Sequence, residues 1–206
     1  TCGFWQDTND LDTAQLQKMK IIGQKLNLKP GDTLLDIGCG WGYLINYLSR
    51  EYNVKGLGIT LSEEQLSYAK NKFKNNTNAD YQLMDYRNIP KDMKFNKIVS
   101  VGMLEHVGVK NYKEYFDVVN NHLEKDGLAL IHTIGRQTKM TTSNSCGPFI
   151  DKYIFPGGHI PSWEELSPIV SNNFFIHDWH NFGQYYTKTL LAWHKNINSK
   201  WDEIPN

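Results

Sequence analysis

Three glycines at alternate positions behind an acid, Asp36-Ile37-Gly38-Cys39-Gly40-Trp41-Gly42, are the residues of this 206-residue chain whose types and spacing speak most directly of chemistry. Glycine has no Cβ and tolerates φ > 0, so a loop built this way lets a ligand lie against bare backbone. The apolar Leu34-Leu35 before it reads as a buried strand, and the helix that follows offers free N–H groups at its start. A dinucleotide fingerprint needs its third glycine one residue later, where Tyr43 stands, so that ligand class does not fit. The spacing favours a different cofactor over an ordinary glycine turn. Cys2, Cys39 and Cys146 are odd in number, widely spaced and without a metal-ligand pattern, which predicts a reduced, cytoplasmic chain with no metal and no disulfide framework.

Elements that position such a loop follow from the apolar periodicity. Leu16, Met19, Ile22 and Leu26 share one face of a helix that stops near Lys29-Pro30-Gly31-Asp32. Strands are predicted at 54–60, 81–85, 97–101 and 128–133, with helices at 43–52, after Ser62, and from Tyr112 to Leu123. Ser62-Glu63-Glu64-Gln65 and Ser162-Trp163-Glu164-Glu165 read as capping boxes. Phe174 to Trp179 reads as extended, and Leu190, Trp193, Ile197 and Trp201 as a last amphipathic helix. Strands alternating with helices mean an α/β fold with a mostly parallel sheet covered on both faces. Ligands in such sheets sit beyond the carboxyl ends of the strands, where the glycine loop, Thr60, Asp85, Glu105 and His132 fall. Residues 135–161 break the rhythm and predict a substrate-side insertion. One domain over 1–206 is expected, with 1–28 as an N-terminal cap segment and helix.

Composition narrows the partners. Lysine plus arginine and aspartate plus glutamate both number 22, which argues against nucleic acid as the main partner. No apolar stretch approaches a membrane span, and the N-terminus has no signal-peptide pattern. The first residue is Thr1, so a piece of a longer chain is expected.

Eight motifs occur in order: Thr1-Cys2-Gly3-Phe4-Trp5, the glycine loop, Gly58-Ile59-Thr60-Leu61-Ser62, Asp85-Tyr86-Arg87, Val99 to Gly108, His132-Thr133-Ile134-Gly135, Lys152 to Gly158, and Asp178 to Phe182. Together they closely resemble cyclopropane-fatty-acyl-phospholipid synthases, members of the class I methyltransferases that use S-adenosylmethionine. The resemblance implies a Rossmann-like methyltransferase fold. It also implies a cofactor pocket made by Asp36, Gly38, Gly40, Gly42, Thr60, Leu61, Gln65, Asp85 and Tyr86. Gln65 is equally accounted for by its cap, and Trp41 either faces the sulfonium or simply packs.

An isolated cis alkene is a poor nucleophile. Methyl transfer builds positive charge on the acyl chain, and a proton must then leave the new methyl group to close the ring. The resembled enzymes hold a bicarbonate ion for this, and the matching positions are Cys2, Glu105, His132 and the backbone N–H of Ile134. Their ion site also takes a tyrosine, expected beyond the C-terminal end of this chain. A carboxylate beside a bound anion implies a shared proton, and His132 would orient the ion. The implied substrate is an unsaturated phospholipid reached by peripheral contact with the inner face of the membrane, with Phe149, Ile150, Tyr153, Ile154 and Phe155 lining an acyl tunnel, touching lipid, or packing as a lid. A homodimer is a further expectation. The other readings are N-methylation of a small amine and a cofactor-binding module without turnover.

Overall fold

The computed structural model describes residues 1–138, 148–153 and 155–204. Five strands, β1 (Thr33–Ile37), β2 (Lys55–Thr60), β3 (Ala79–Leu83), β4 (Phe95–Val101) and β5 (Leu123–His132), form one sheet in the order β3-β2-β1-β4-β5. Every pair is parallel. β1 lies at the centre, and the strand order reverses beside it, so its carboxyl end opens into the crevice where such folds bind ligands.

Alternation along β1 distributes its side chains between two cores. Leu35 and Ile37 join Leu57, Ile59, Ile98, Tyr112, Tyr115 and Val119 on one face, under α4 (Leu104–Val107), α5 (Tyr112–His122) and α7 (Trp163–Asn173). Leu34 joins Leu26, Ile45, Leu48, Ala69 and Val99 on the other, under α1 (Leu11–Lys25), α2 (Tyr43–Glu51) and α3 (Glu63–Lys72). Each fully buried Leu or Ile contributes about 1.5–3 kcal/mol, and a strand buried on both faces reads as the continuous apolar run seen in the sequence. Two further helices, α6 (Pro148–Tyr153) and α8 (Tyr185–Ser199), lie in the C-terminal third.

Several predicted boundaries move. β3 runs from Ala79 to Leu83, two residues before the expected span, so Asp85 leaves the strand and caps a 3-10 turn, Tyr86–Asn88. β5 starts at Leu123, directly after α5, and Lys125-Asp126-Gly127 falls inside it as an irregularity opposite Phe95 and Lys97, with Asp126 at φ 64°. The expected extended stretch at Phe174 forms no ladder, and Trp201 falls in a separate turn, Trp201–Glu203. On α1 the buried residues are Ala14, Lys18, Ile22 and Gly23, whereas Leu16 is 46% exposed. Its buried face therefore runs through a lysine, which an apolar count passes over. The two ends of the 135–161 insertion are stitched together by the Arg136 N–H to the Pro161 carbonyl, 2.9 Å. Cys146 and Ile154 lie outside the described residues.

Candidate active site

The glycine loop wraps the end of β1, and the N–H groups of Gly38 and Cys39 both donate to the Ile59 carbonyl, 3.0 and 2.9 Å. Gly38, Gly40 and Gly42 all have positive φ, 81°, 56° and 81°. Their reasons differ. A Cβ at Gly42 would meet Tyr81 Cε1 at 2.6 Å and the Ala69 methyl at 2.8 Å, and one at Gly38 would meet Met103 Cγ at 2.8 Å. A Cβ at Gly40 meets nothing within 4 Å. Gly38 and Gly42 are thus needed for packing, while Gly40 borders open space a ligand can enter.

Asp36 stands beneath this loop. It is fully buried, its Oδ2 has no hydrogen-bond partner, and burial raises its pKa to about 7. A buried oxygen without a partner is a costly exception, and the ammonium of an amino-acid ligand would satisfy it. At the end of β2 the Thr60 hydroxyl donates to Gln65 Oε1 (2.8 Å), and the Ser62 N–H donates to Thr60 Oγ1 (3.2 Å). Ser62 caps α3 through the Gln65 N–H, but the Gln65 side chain turns to Thr60 instead of reaching back. The first expected capping box is therefore half made; the second, at Ser162 and Glu165, is complete. The Gln65 side chain thus joins Thr60 at the rim, beside the exposed Leu61. Asp85 is held below the usual carboxylate range by its paired Arg87 guanidinium, 2.6 Å away. Tyr86 turns its ring into the core, edge-on to Tyr115 at 5.4 Å. Trp41 is half-exposed and meets the edge of Tyr68 at 5.2 Å.

A second cluster forms at the ends of β4 and β5, which the Gly102 N–H joins to the His132 carbonyl, 2.9 Å. Glu105, buried in α4, accepts the Ile134 N–H on Oε1 at 2.7 Å, while its Oε2 has no partner. His132 ends β5 with its ring stacked on Phe182, centroids 5.4 Å apart, and its buried Nδ1 is also unpartnered. Burial lowers the His132 pKa to about 4, helped by the positive charge of Lys18, so the ring is neutral at pH 7. The Cys2 thiol is buried, donates to the Gly3 carbonyl at 3.3 Å and lies 3.9 Å from the Thr189 hydroxyl; burial raises its pKa.

Sequence reasoning left out three contributors. Tyr186 on α8 is close enough to Cys2 and Glu105 for their charges, after burial, to raise its own pKa, so a phenol within this chain already approaches the cluster. Thr189, one turn further along α8, accepts from the Gly3 N–H and Trp5 Nε1 at 3.0 and 2.8 Å. Lys18 is buried behind Cys2. The i, i+3 spacing of Tyr186 and Thr189 is the only sequence signal any of them carries. Of the apolar insertion residues, Phe149 and Tyr153 are exposed on α6, and Ile150 and Phe155 are partly buried.

The family model of mycolic acid cyclopropane synthetase matches residues 1–206. The cyclopropane-fatty-acyl-phospholipid synthase of Escherichia coli K12 is 44% identical over 99% of this chain and 52% of its own length. Cyclopropane mycolic acid synthase 2 of Mycobacterium leprae is 32% identical over 98% of this chain and 73% of its own. Among solved structures, cyclopropane synthase MmaA2 of Mycobacterium tuberculosis superposes with a TM-score of 0.89 at 28% identity, covering 98% of this chain and 76% of that one. Mycolic acid cyclopropane synthase CmaA1, solved with SAH and CTAB, has the same TM-score at 29% identity and the same coverage. The chain spans about half the length of the first curated relatives it matches. With the fold, the glycine cradle and the Glu105–His132 cluster in place, and the family model matched from end to end, the chain belongs to the mycolic acid cyclopropane synthetase family.

Proposed function

We propose that this chain is the catalytic core of an S-adenosylmethionine-dependent enzyme that adds a methylene group across a cis double bond of a phospholipid acyl chain. The observation that carries the reading is the pair of unpartnered buried atoms, Glu105 Oε2 and His132 Nδ1, at the strand ends that border the glycine cradle. Two polar atoms left dry in a packed site fit a small ligand able both to donate and to accept hydrogen bonds, as bicarbonate is. Asp36 Oδ2 and the open face of Gly40 fit the amino-acid end of S-adenosylmethionine in the same way.

S-adenosylmethionine supplies an electrophilic methyl group when bound, and bicarbonate supplies the base that closes the ring. The protein positions both. Asp36 ionises against the ligand ammonium, and Thr60 with Gln65 offers polar atoms to the ribose end. Glu105 shares a proton at Oε2, because two like charges in a dry site resist joint ionisation. Neutral His132 can donate from Nδ1 without placing a second full charge beside a developing carbocation. The ring of Phe182 against His132 keeps water from that charge. The exposed Phe149 and Tyr153 of α6 give an acyl chain apolar surface to meet. No helix among the described residues is long and apolar enough to cross a membrane.

The test is mass spectrometry of phospholipids after incubating the full-length protein with S-adenosylmethionine and vesicles of cis-unsaturated lipid. Acyl chains heavier by one CH₂ and lacking the double bond are expected, with Glu105→Gln lowering the yield by ~10²-fold or more, the usual range for a lost proton-transfer group. Unchanged lipid despite measured cofactor binding would overturn the reading in favour of an amine substrate.

A further inference from the structure

Lys18 is the one lysine or arginine buried among the described residues, 8% exposed. Its Nζ donates to Thr1 Oγ1 at 2.5 Å and to Gln15 Oε1 at 2.6 Å, both neutral, and no carboxylate among the described residues pairs with it. Burying an ammonium against neutral acceptors is costly. A methionine would fill the same space on the α1 face of Ala14 and Ile22 without that penalty.

The location explains the cost. Thr1, which accepts from Lys18, lies against Gly102, where an added Cβ would meet Thr1 Cγ2 at 2.7 Å. Gly102 joins β4 to His132 through its N–H and precedes Glu105 by three residues. The ammonium is also close enough to Cys2 and His132 to act on the titration of both. Around the pocket the titratable side chains are Cys2 on the N-terminal segment, Glu105 on α4, His132 at the end of β5 and Tyr186 on α8. Of these side chains Glu105 is the acid, and none carries a positive charge at pH 7. An anion sharing a proton with the Glu105 carboxyl still leaves one net negative charge in a dry pocket, and Lys18 is the buried cation that can offset it.

We propose that Lys18 is the counter-charge of the anion pocket: pinned by Thr1 and Gln15 behind Cys2, its ammonium lets a monovalent anion such as bicarbonate settle beside Glu105 and the neutral His132 ring. This rests on the proposed function and adds a positioning residue to it. Burial pulls the Lys18 pKa to about 8, still above neutrality, so the charge is present where it is needed.

Two variants of the full-length protein test it. Lys18→Met removes the charge and keeps the stem; Gln15→Glu leaves the lysine and neutralises it in place. At pH 7 both are expected to raise by tenfold or more the bicarbonate concentration giving half-maximal thermal stabilisation, with S-adenosylmethionine affinity within twofold of the unmutated protein. Lys18→Met is also expected to move the His132 ring titration, followed by NMR, upward towards the usual histidine range, and Gln15→Glu, which keeps the lysine and its packing in place, is expected to move it the same way. Lys18→Arg restores bicarbonate binding. If the unmutated protein neither responds to bicarbonate nor converts lipid, the proposed function falls and this inference with it. If it converts lipid without responding to bicarbonate, or does both while Lys18→Met and Gln15→Glu respond within twofold of it, this inference alone falls.

Discussion

Asp36 is expected to carry a pH dependence whose sign reverses when an amino-acid ligand binds. Its folded-state pKa, raised by burial to about 7 from 3.8, means that the cofactor-free fold prefers the protonated acid. The stability it contributes is full below about pH 4 and is lost as pH rises through 7. A ligand ammonium at Oδ2 favours the ionised form instead. Binding S-adenosylmethionine at pH 6 is therefore expected to release about one proton, measured by calorimetry in two buffers of different ionisation heat. The cofactor-free melting temperature should fall between about pH 4 and 7 and level off above, and Asp36→Asn should abolish that fall while weakening cofactor binding at pH 8 by roughly 10- to 100-fold, the range for a lost charge-assisted hydrogen bond. Absence of proton release would remove Asp36 from the amino-acid end. His132 closes an apolar run, and the strand and helix periods place it, with the glycine loop after Asp36 and with Glu105, at the end of the sheet where ligands bind; the roles expected of these residues came from the resemblance, not from their positions. Lys18 was not legible, because a lysine on an amphipathic helix reads as solvent-facing until tertiary packing shows which face is buried.

The loop between β1 and α2 uses its glycines for two purposes, and alanine at each separates them. Gly42→Ala places a methyl group 2.6 Å from the Tyr81 ring at φ 81°. Backbone strain and overpacking together are expected to cost roughly 2–4 kcal/mol, seen as a large drop in melting temperature. Gly40→Ala meets no atom and bears only the strain of φ 56°, about 1–2 kcal/mol. It should fold, melt a few degrees lower, and lose most of its S-adenosylmethionine affinity by calorimetry. Unchanged S-adenosylmethionine affinity in Gly40→Ala would mean that the open space beside Gly40 is not a ligand cradle. The alternation of strand and helix was readable because a buried parallel strand and an amphipathic helix leave different periods. The start of β5 was not, because Lys125-Asp126-Gly127 has turn chemistry and the pairing of Phe95 with Leu123 overrides it.

Contacts at the largest sequence separation close the site. Gly3 N–H and Trp5 Nε1 both donate to Thr189, 186 and 184 positions away, and the same hydroxyl lies 3.2 Å from the Tyr185 carbonyl it can donate to. Phe4 fills the same corner, with its ring 5.7, 5.6 and 5.4 Å from His180, Phe182 and Tyr185. Phe182 in turn stacks on His132, so the packing that holds the N-terminal segment against α8 also covers the cluster. No local pattern encodes such a contact, which is why the sequence showed Cys2 as a position without showing what holds it. Thr189→Val keeps the shape and leaves two buried donors without an acceptor, at about 1–3 kcal/mol each. That energy is expected to be lost locally before the sheet responds. Amide exchange at Gly3 and the reaction of Cys2 with a thiol reagent should speed up by tenfold or more, while amides of β1 and β4 keep their protection. Thr189→Ser retains the hydroxyl and should behave as the unmutated protein. Cys2 reactivity unchanged in Thr189→Val would instead assign the closure to the aromatic corner around Phe4, where Phe4→Leu would then have to open it.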